Sequence, residues 1–161
     1  MSPRRTPLIG FRDWRVRVEP LRLTGVIHAV GWPLDDVVAT CRVVEGLHSW
    51  DALHGAPRAD CTCGLYGRHE LAEVPKAIPL AHHIYGVRVI GAVVGWGRMV
   101  IHERGWRAEF AKPVALAYGP SDLRRITADL ADEYGIPVVA ASELQWVAAE
   151  FGERYVREAQ A

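Results

Sequence analysis

Residues 87–110 read VRVIGAVVGWGRMVIHERGWRAEF, the clearest β signal in the chain. The β-branched run Val87–Val94 predicts a strand, Gly95-Trp96-Gly97 breaks it, and Met99–His102 resumes it. Arg104-Gly105 then predicts a second turn, after which Trp106, Ala108 and Phe110 alternate with Arg107 and Glu109. Together they predict a three-strand antiparallel meander with two glycine turns, one face packed and one face wet.

Upstream of this stretch the pattern stays β-like. Trp14, Val16 and Val18 alternate with Arg15 and Arg17, and Leu21 and Leu23 flank Arg22 after Pro20. Between Asp35 and Glu45 the code is mixed. Val37, Val38, Cys41 and Val44 suit one helical face with two aspartates at its start, which favours a helix, while CRVVE also suits a strand.

Beyond Pro120 the periodicity becomes helical. Ser121 and Asp122 are cap residues, Leu123, Ile126, Leu130 and Tyr134 form an apolar stripe, and Gly135 stands where a C-terminal glycine belongs. After IPVV, Ser142 and Gln145 read as a capping box, and Leu144, Val147, Phe151 and Tyr155 repeat the stripe. A helix-turn-helix is the weaker reading, because Glu143, Glu150 and Glu153 on its second helix would repel phosphate. The expected fold is therefore α+β: a curved antiparallel sheet or partial β-barrel, a zinc knob and two C-terminal helices. Residues 1–161 are expected to form a single domain, mainly β with the metal site over 1–120 and a helical appendage over 121–161.

With 161 residues, 50% of them apolar and 24% charged, the chain is long enough to bury a core without disulfide staples. Nineteen acids balance nineteen Lys plus Arg, so the chain as a whole lacks the basic field that drives non-specific nucleic-acid binding. The charge is nevertheless uneven. Residues 1–30 carry six arginines against Asp13 and Glu19, and residues 121–161 carry eight acids against four arginines. No apolar run reaches membrane-spanning length and MSPRRTPL is not followed by a signal-peptide core, so a cytoplasmic protein is expected, with no membrane partner.

The three cysteines are Cys41, Cys61 and Cys63. An odd count with two of them one residue apart makes a poor disulfide framework. The spacing Cys41, twelve residues, His54, six residues, Cys61, one residue, Cys63 suits a Cys3His zinc shell, since zinc takes soft thiolates and imidazole tetrahedrally. Gly64 allows the backbone to turn away from the metal. His48 and His69 compete with His54 for the fourth place. The contrary reading makes Cys41 a buried hydrophobe and the C-x-C pair incidental.

Four protein ligands would leave no open position, so the ion is expected to contribute folding energy rather than Lewis acidity. Three cysteines plus water would instead suit hydrolytic chemistry, but the P-C-x-x-C of zinc deaminases is absent. No phosphate loop, dinucleotide fingerprint, G-x-S-x-G elbow or H-E-x-x-H helix occurs. The expectation is a zinc-stabilised, non-enzymatic binding or adaptor domain with a protein partner. Its rivals are a zinc enzyme with an open coordination position and a nucleic-acid binder using Arg4, Arg5, Arg12, Arg15 and Arg17. Trp96 with Arg98, read as a hairpin tip, and Arg15 with Arg17 are the candidate binding residues.

Overall fold

The computed structural model describes residues 3–26, 30–41, 54–74 and 87–157. Its backbone is two long strands, β1 (Arg4–Val18) and β5 (Arg88–His102), with the equally extended β6 (Gly105–Ala117) beside them. Shorter strands complete one seven-stranded sheet: β2 (Leu21–Thr24), β3 (Val37–Val38), β4 (Leu65–Arg68) and β7 (Val138–Val139). Pairing is antiparallel except between β6 and β7. The path from β1 through β5 and β6 to β4 returns to β1 at Phe11 opposite Arg68, so the sheet curls into a partial ring. This is the α+β arrangement expected, with two short C-terminal helices and a Cys/His cluster at one side.

The meander has two strands, not three. Gly95-Trp96-Gly97 does not turn the chain; it lies inside β5. Trp96 faces Phe110 and Met99 faces Ala108, so β5 spends one more residue than β6 over this interval. That extra residue is a β-bulge, and Gly97 at φ 80° supplies the left-handed backbone it needs. A glycine pair marks a bulge or a turn equally well in sequence, and only pairing across the sheet separates them.

Trp106 fills the interior of the ring. Its indole is 1% exposed, and its Nε1–H donates to the Ile9 carbonyl at 3.0 Å. Gly10, Gly67 and Gly95, from three different strands, lie against that indole, and a Cβ on any of them would come within 2.7, 2.5 or 2.4 Å of it. The ring closes this tightly because bare backbone on three sides admits one large flat side chain.

Neighbouring residues of β1, β5 and β6 point to opposite faces, and both faces are packed. Leu8, Val93 and Leu116 join one cluster with Leu130 and Ala131, while Ile9, Val94 and Ala115 join another with Leu144 and Ala148. The expected wet face is therefore covered here. Leu130 and Ala131 belong to α1 (Arg124–Tyr134), Leu144 and Ala148 to α2 (Leu144–Ala148). Each fully buried leucine of this kind contributes about 2 kcal/mol of transfer free energy.

The first helix ends at Gly135, φ 63°, as expected. Its start differs: Ser121–Leu123 form a 3-10 turn and no side chain caps the helix. Tyr134 ties the helix to the sheet, accepting from Leu23 N–H at 3.1 Å and donating to the Trp32 carbonyl at 2.6 Å. The second helix is shorter than its stripe implied, and Phe151 and Tyr155 lie beyond it. The chain is drawn off by β1: Ile9 N–H donates to the Glu153 carbonyl and Glu153 N–H to the Pro7 carbonyl, at 2.9 and 2.8 Å. In place of a Ser142/Gln145 box, the Glu143 carboxylate accepts from Ala140 N–H at 3.2 Å.

The Asp35–Glu45 helix is corrected as well, since Val37 and Val38 form β3 against Ala111 and Phe110. The part of that segment beyond Cys41 lies outside the described residues. Among the described residues no helix is long and apolar enough to cross a membrane.

Candidate metal centre

One edge of β6 is taken by β5, so β4, β3 and β7 share the other edge in succession. The cluster forms where two of these segments end. Ala39 N–H donates to the Glu109 carbonyl at 2.7 Å, which brings the chain after β3 to Cys41, while Gly64 at φ 125° turns the chain from Cys63 into β4. His54 and Cys61 come from the intervening loop.

The ligand atoms of Cys41, His54, Cys61 and Cys63 all lie within 4.8 Å of one another. Cys41 Sγ and Cys61 Sγ are 3.7 Å apart, and His54 Nε2 is 3.2 Å from Cys63 Sγ. Two thiolates on tetrahedral zinc, at bonds of about 2.3 Å, are separated by about 3.8 Å. The four predicted donors thus form a group that can bind a metal ion, Cys63 buried and the other three half-buried. His69 is elsewhere: its Nε2–H donates to the His102 carbonyl at 3.0 Å and its ring stacks on Tyr155. His48 lies outside the described residues, as do His28, His82 and His83.

The thiols are electrostatically linked. Desolvation pushes the Cys61 thiol up, but hydrogen bonds from the Cys63 amide and side chain, with Cys41 and His54, outweigh it and bring the thiol down to about 7. Desolvation raises Cys63 to about 11, the Arg58 amide opposing and the neighbouring thiolates reinforcing it. The first proton leaves easily and each further thiolate is resisted by those already formed. A bound cation removes that resistance.

The sequence did not single out Arg107 as part of the site. Its side chain, 4% exposed, donates through one Nη to the carbonyls of Cys61, Cys63 at 2.7 Å and Arg58 at 3.3 Å. Its Nε donates to His102 Nε2 at 2.9 Å. On this strand it is Glu109, not Arg107, that makes a cross-strand ion pair.

Glu109 pairs with Arg98, at 3.0 Å, and also accepts from the Arg98 backbone N–H at 3.0 Å, satisfying the amide that the bulge frees from the ladder. Arg98 in turn donates to the Ala56 carbonyl at 3.4 Å, linking the bulge to the loop that carries His54. Hydrogen bonding to Arg98, against desolvation, holds the Glu109 carboxyl below its usual 4.5. A depressed carboxylate stabilises the fold above its unfolded value and loses that contribution as pH falls through its folded one. Glu109→Gln is therefore expected to cost at most about 1 kcal/mol near neutrality, the exposed Arg98 being screened. In urea unfolding across pH, the difference from wild type should shrink below 4.5; a difference that persists in acid would show that charge is not its source.

The other candidate binding residues are placed as follows. Trp96 is half-buried mid-strand, stacked on Phe110 with centroids 5.9 Å apart, and not at a hairpin tip. Arg15 is half-buried on β1 opposite Thr24, and Arg17 is exposed near its end. Arg12 is held internally, 4.5 Å from the Trp32 centroid and donating to the Tyr66 carbonyl at 3.2 Å. Burial lowers its guanidinium to about 10, against Asp13. Compared with protein-family models, curated proteins and solved structures, the chain matches none.

Proposed function

We propose that Cys41, His54, Cys61 and Cys63 hold one zinc ion in a structural role, and that the chain is a non-enzymatic binding or adaptor domain for a protein partner. The observation that carries the metal reading is the convergence of three sulfurs and one imidazole nitrogen within 4.8 Å. This soft donor set, without carboxylate, favours zinc, and its four members complete a tetrahedron with no place left for water or substrate. Amides from Cys63 and Arg58 directed at the sulfurs support the same reading, because they stabilise thiolate. Thiols kept as ligands imply a reducing compartment, hence the cytoplasm. A protein partner is supported by Trp146 and Phe151, 69% and 41% exposed, side chains of the kind enriched at interfaces.

Elemental analysis and cobalt substitution test the reading. One zinc per chain is expected, and cobalt should give the intense visible absorption and sulfur charge-transfer bands of a tetrahedral thiolate site. Weak cobalt bands with exchangeable bound water would favour an open, catalytic ion. Metal-free protein of undiminished stability would overturn the structural role.

A further inference from the structure

Beside the metal centre lies a cleft of about 270 Å³ whose wall includes Thr62, Tyr66, Arg68, His102, Trp106 and Arg107. Thr62 sits between the two knuckle cysteines, so the cleft and the cluster share a wall.

No acid lines this wall opposite its arginines. Among the described residues Arg107 makes no ion pair: its acceptors are three carbonyls and one imidazole nitrogen, and its second Nη has none. The Arg68 side chain likewise makes no hydrogen bond or ion pair there, and no carboxylate lines the cleft. Asp60, Glu70, Glu73, Glu103 and Glu109, the acids nearest in sequence, are engaged by Arg58, Arg154, Arg104, Arg157 and Arg98. His102, accepting from Arg107 at Nε2, is a neutral imidazole whose remaining nitrogen carries the proton. Burial, then Arg107, Arg68 and His69, hold it below its ordinary value.

A buried guanidinium without an anion is costly, and proteins offset that cost with a counter-charge. Zinc with three thiolates and an imidazole carries one net negative charge, enough to offset Arg107 at most. Arg68 remains over.

We propose that this cleft binds the phosphate group of a small phosphate monoester, with Arg68 and the free Nη of Arg107 as its donors and the Tyr66 ring beside the ester substituent. Arg107 lies opposite Tyr66 and Arg68 opposite Gly105, so the two arginines are diagonal neighbours on one face of adjacent strands, and a pair of guanidinium groups suits the three oxygens of a phosphate better than the two of a carboxylate. The proposal rests on the metal reading in one respect: the Cys61 and Cys63 carbonyls hold Arg107 in place.

Calorimetric titration of the zinc-loaded full chain with phenyl phosphate tests it. Saturable one-to-one binding is expected, about tenfold weaker in Arg68→Ala and partly restored in Arg68→Lys. Arg68 is exposed and without internal bonds, so its variants should fold, whereas Arg107 variants lose contacts to the knuckle. Arg154→Ala, whose guanidinium pairs with Glu70, should bind as wild type. Absence of saturation, equal affinity in Arg68→Ala, or benzoate binding as tightly as phenyl phosphate would overturn the proposal. Undiminished phenyl phosphate binding by a chain that takes up no metal would sink the metal reading and leave the pocket standing.

Discussion

Cys63→Ser is expected to abolish stoichiometric metal binding and to lower the unfolding midpoint sharply. Cys63 is the buried member of the group, and replacing its sulfur leaves three ligands and a hydroxyl that zinc holds poorly. Structural zinc contributes about 10–16 kcal/mol of apparent folding energy in small peptides that have little else. Here the sheet supplies its own core, so a loss of several kcal/mol, not complete unfolding of every strand, is the expected result. The damage should extend past the knob, because Arg107 on β6 would lose ordered carbonyl acceptors at Cys61 and Cys63. Metal content and thermal unfolding measure it, with Cys41→Ser and chelator-treated wild type alongside. All three should converge on one lowered midpoint. A Cys63→Ser chain with full zinc and an unchanged midpoint would remove the cluster from the account.

Trp106→Ala should be the most damaging single change in the core. Truncating a buried tryptophan costs about 3–5 kcal/mol through lost transfer energy and the cavity left behind. This site has little means of collapsing, since the groups facing the indole are glycine backbone at residues 10, 67 and 95. The Ile9 carbonyl would also lose its partner, adding about 1 kcal/mol or more. Trp106→Phe should retain part of the packing and lose the hydrogen bond, falling between the two. Denaturant unfolding ranks the three chains. A loss below about 1 kcal/mol in Trp106→Ala would show that the ring closes without its centrepiece.

What the chain disclosed beforehand depended on how local the cause was. Strand character in β1, β5 and β6, the stripe of α1 and the Gly135 cap were readable because alternation, helical spacing and a left-handed residue are decided within a few positions. The four clustered donors were readable because sulfur and imidazole have few other reasons to gather. The bulge at Gly97, the early end of α2 at the strand-like pairing of Glu153, and β3 were not, since each is decided by a partner far along the chain. Arg107 was hidden for a related reason. In a run alternating Arg107 and Glu109 with apolar residues it looks like solvated charge, and only the loop folded over it makes it an internal strut.

The succession of β4, β3 and β7 along a single border of β6 has an implication for how this chain tolerates change. Each docking segment is two to four residues long and meets its own stretch of the host strand. Loss of one such contact therefore need not force the others out of register, as rungs are replaced one at a time along a rail.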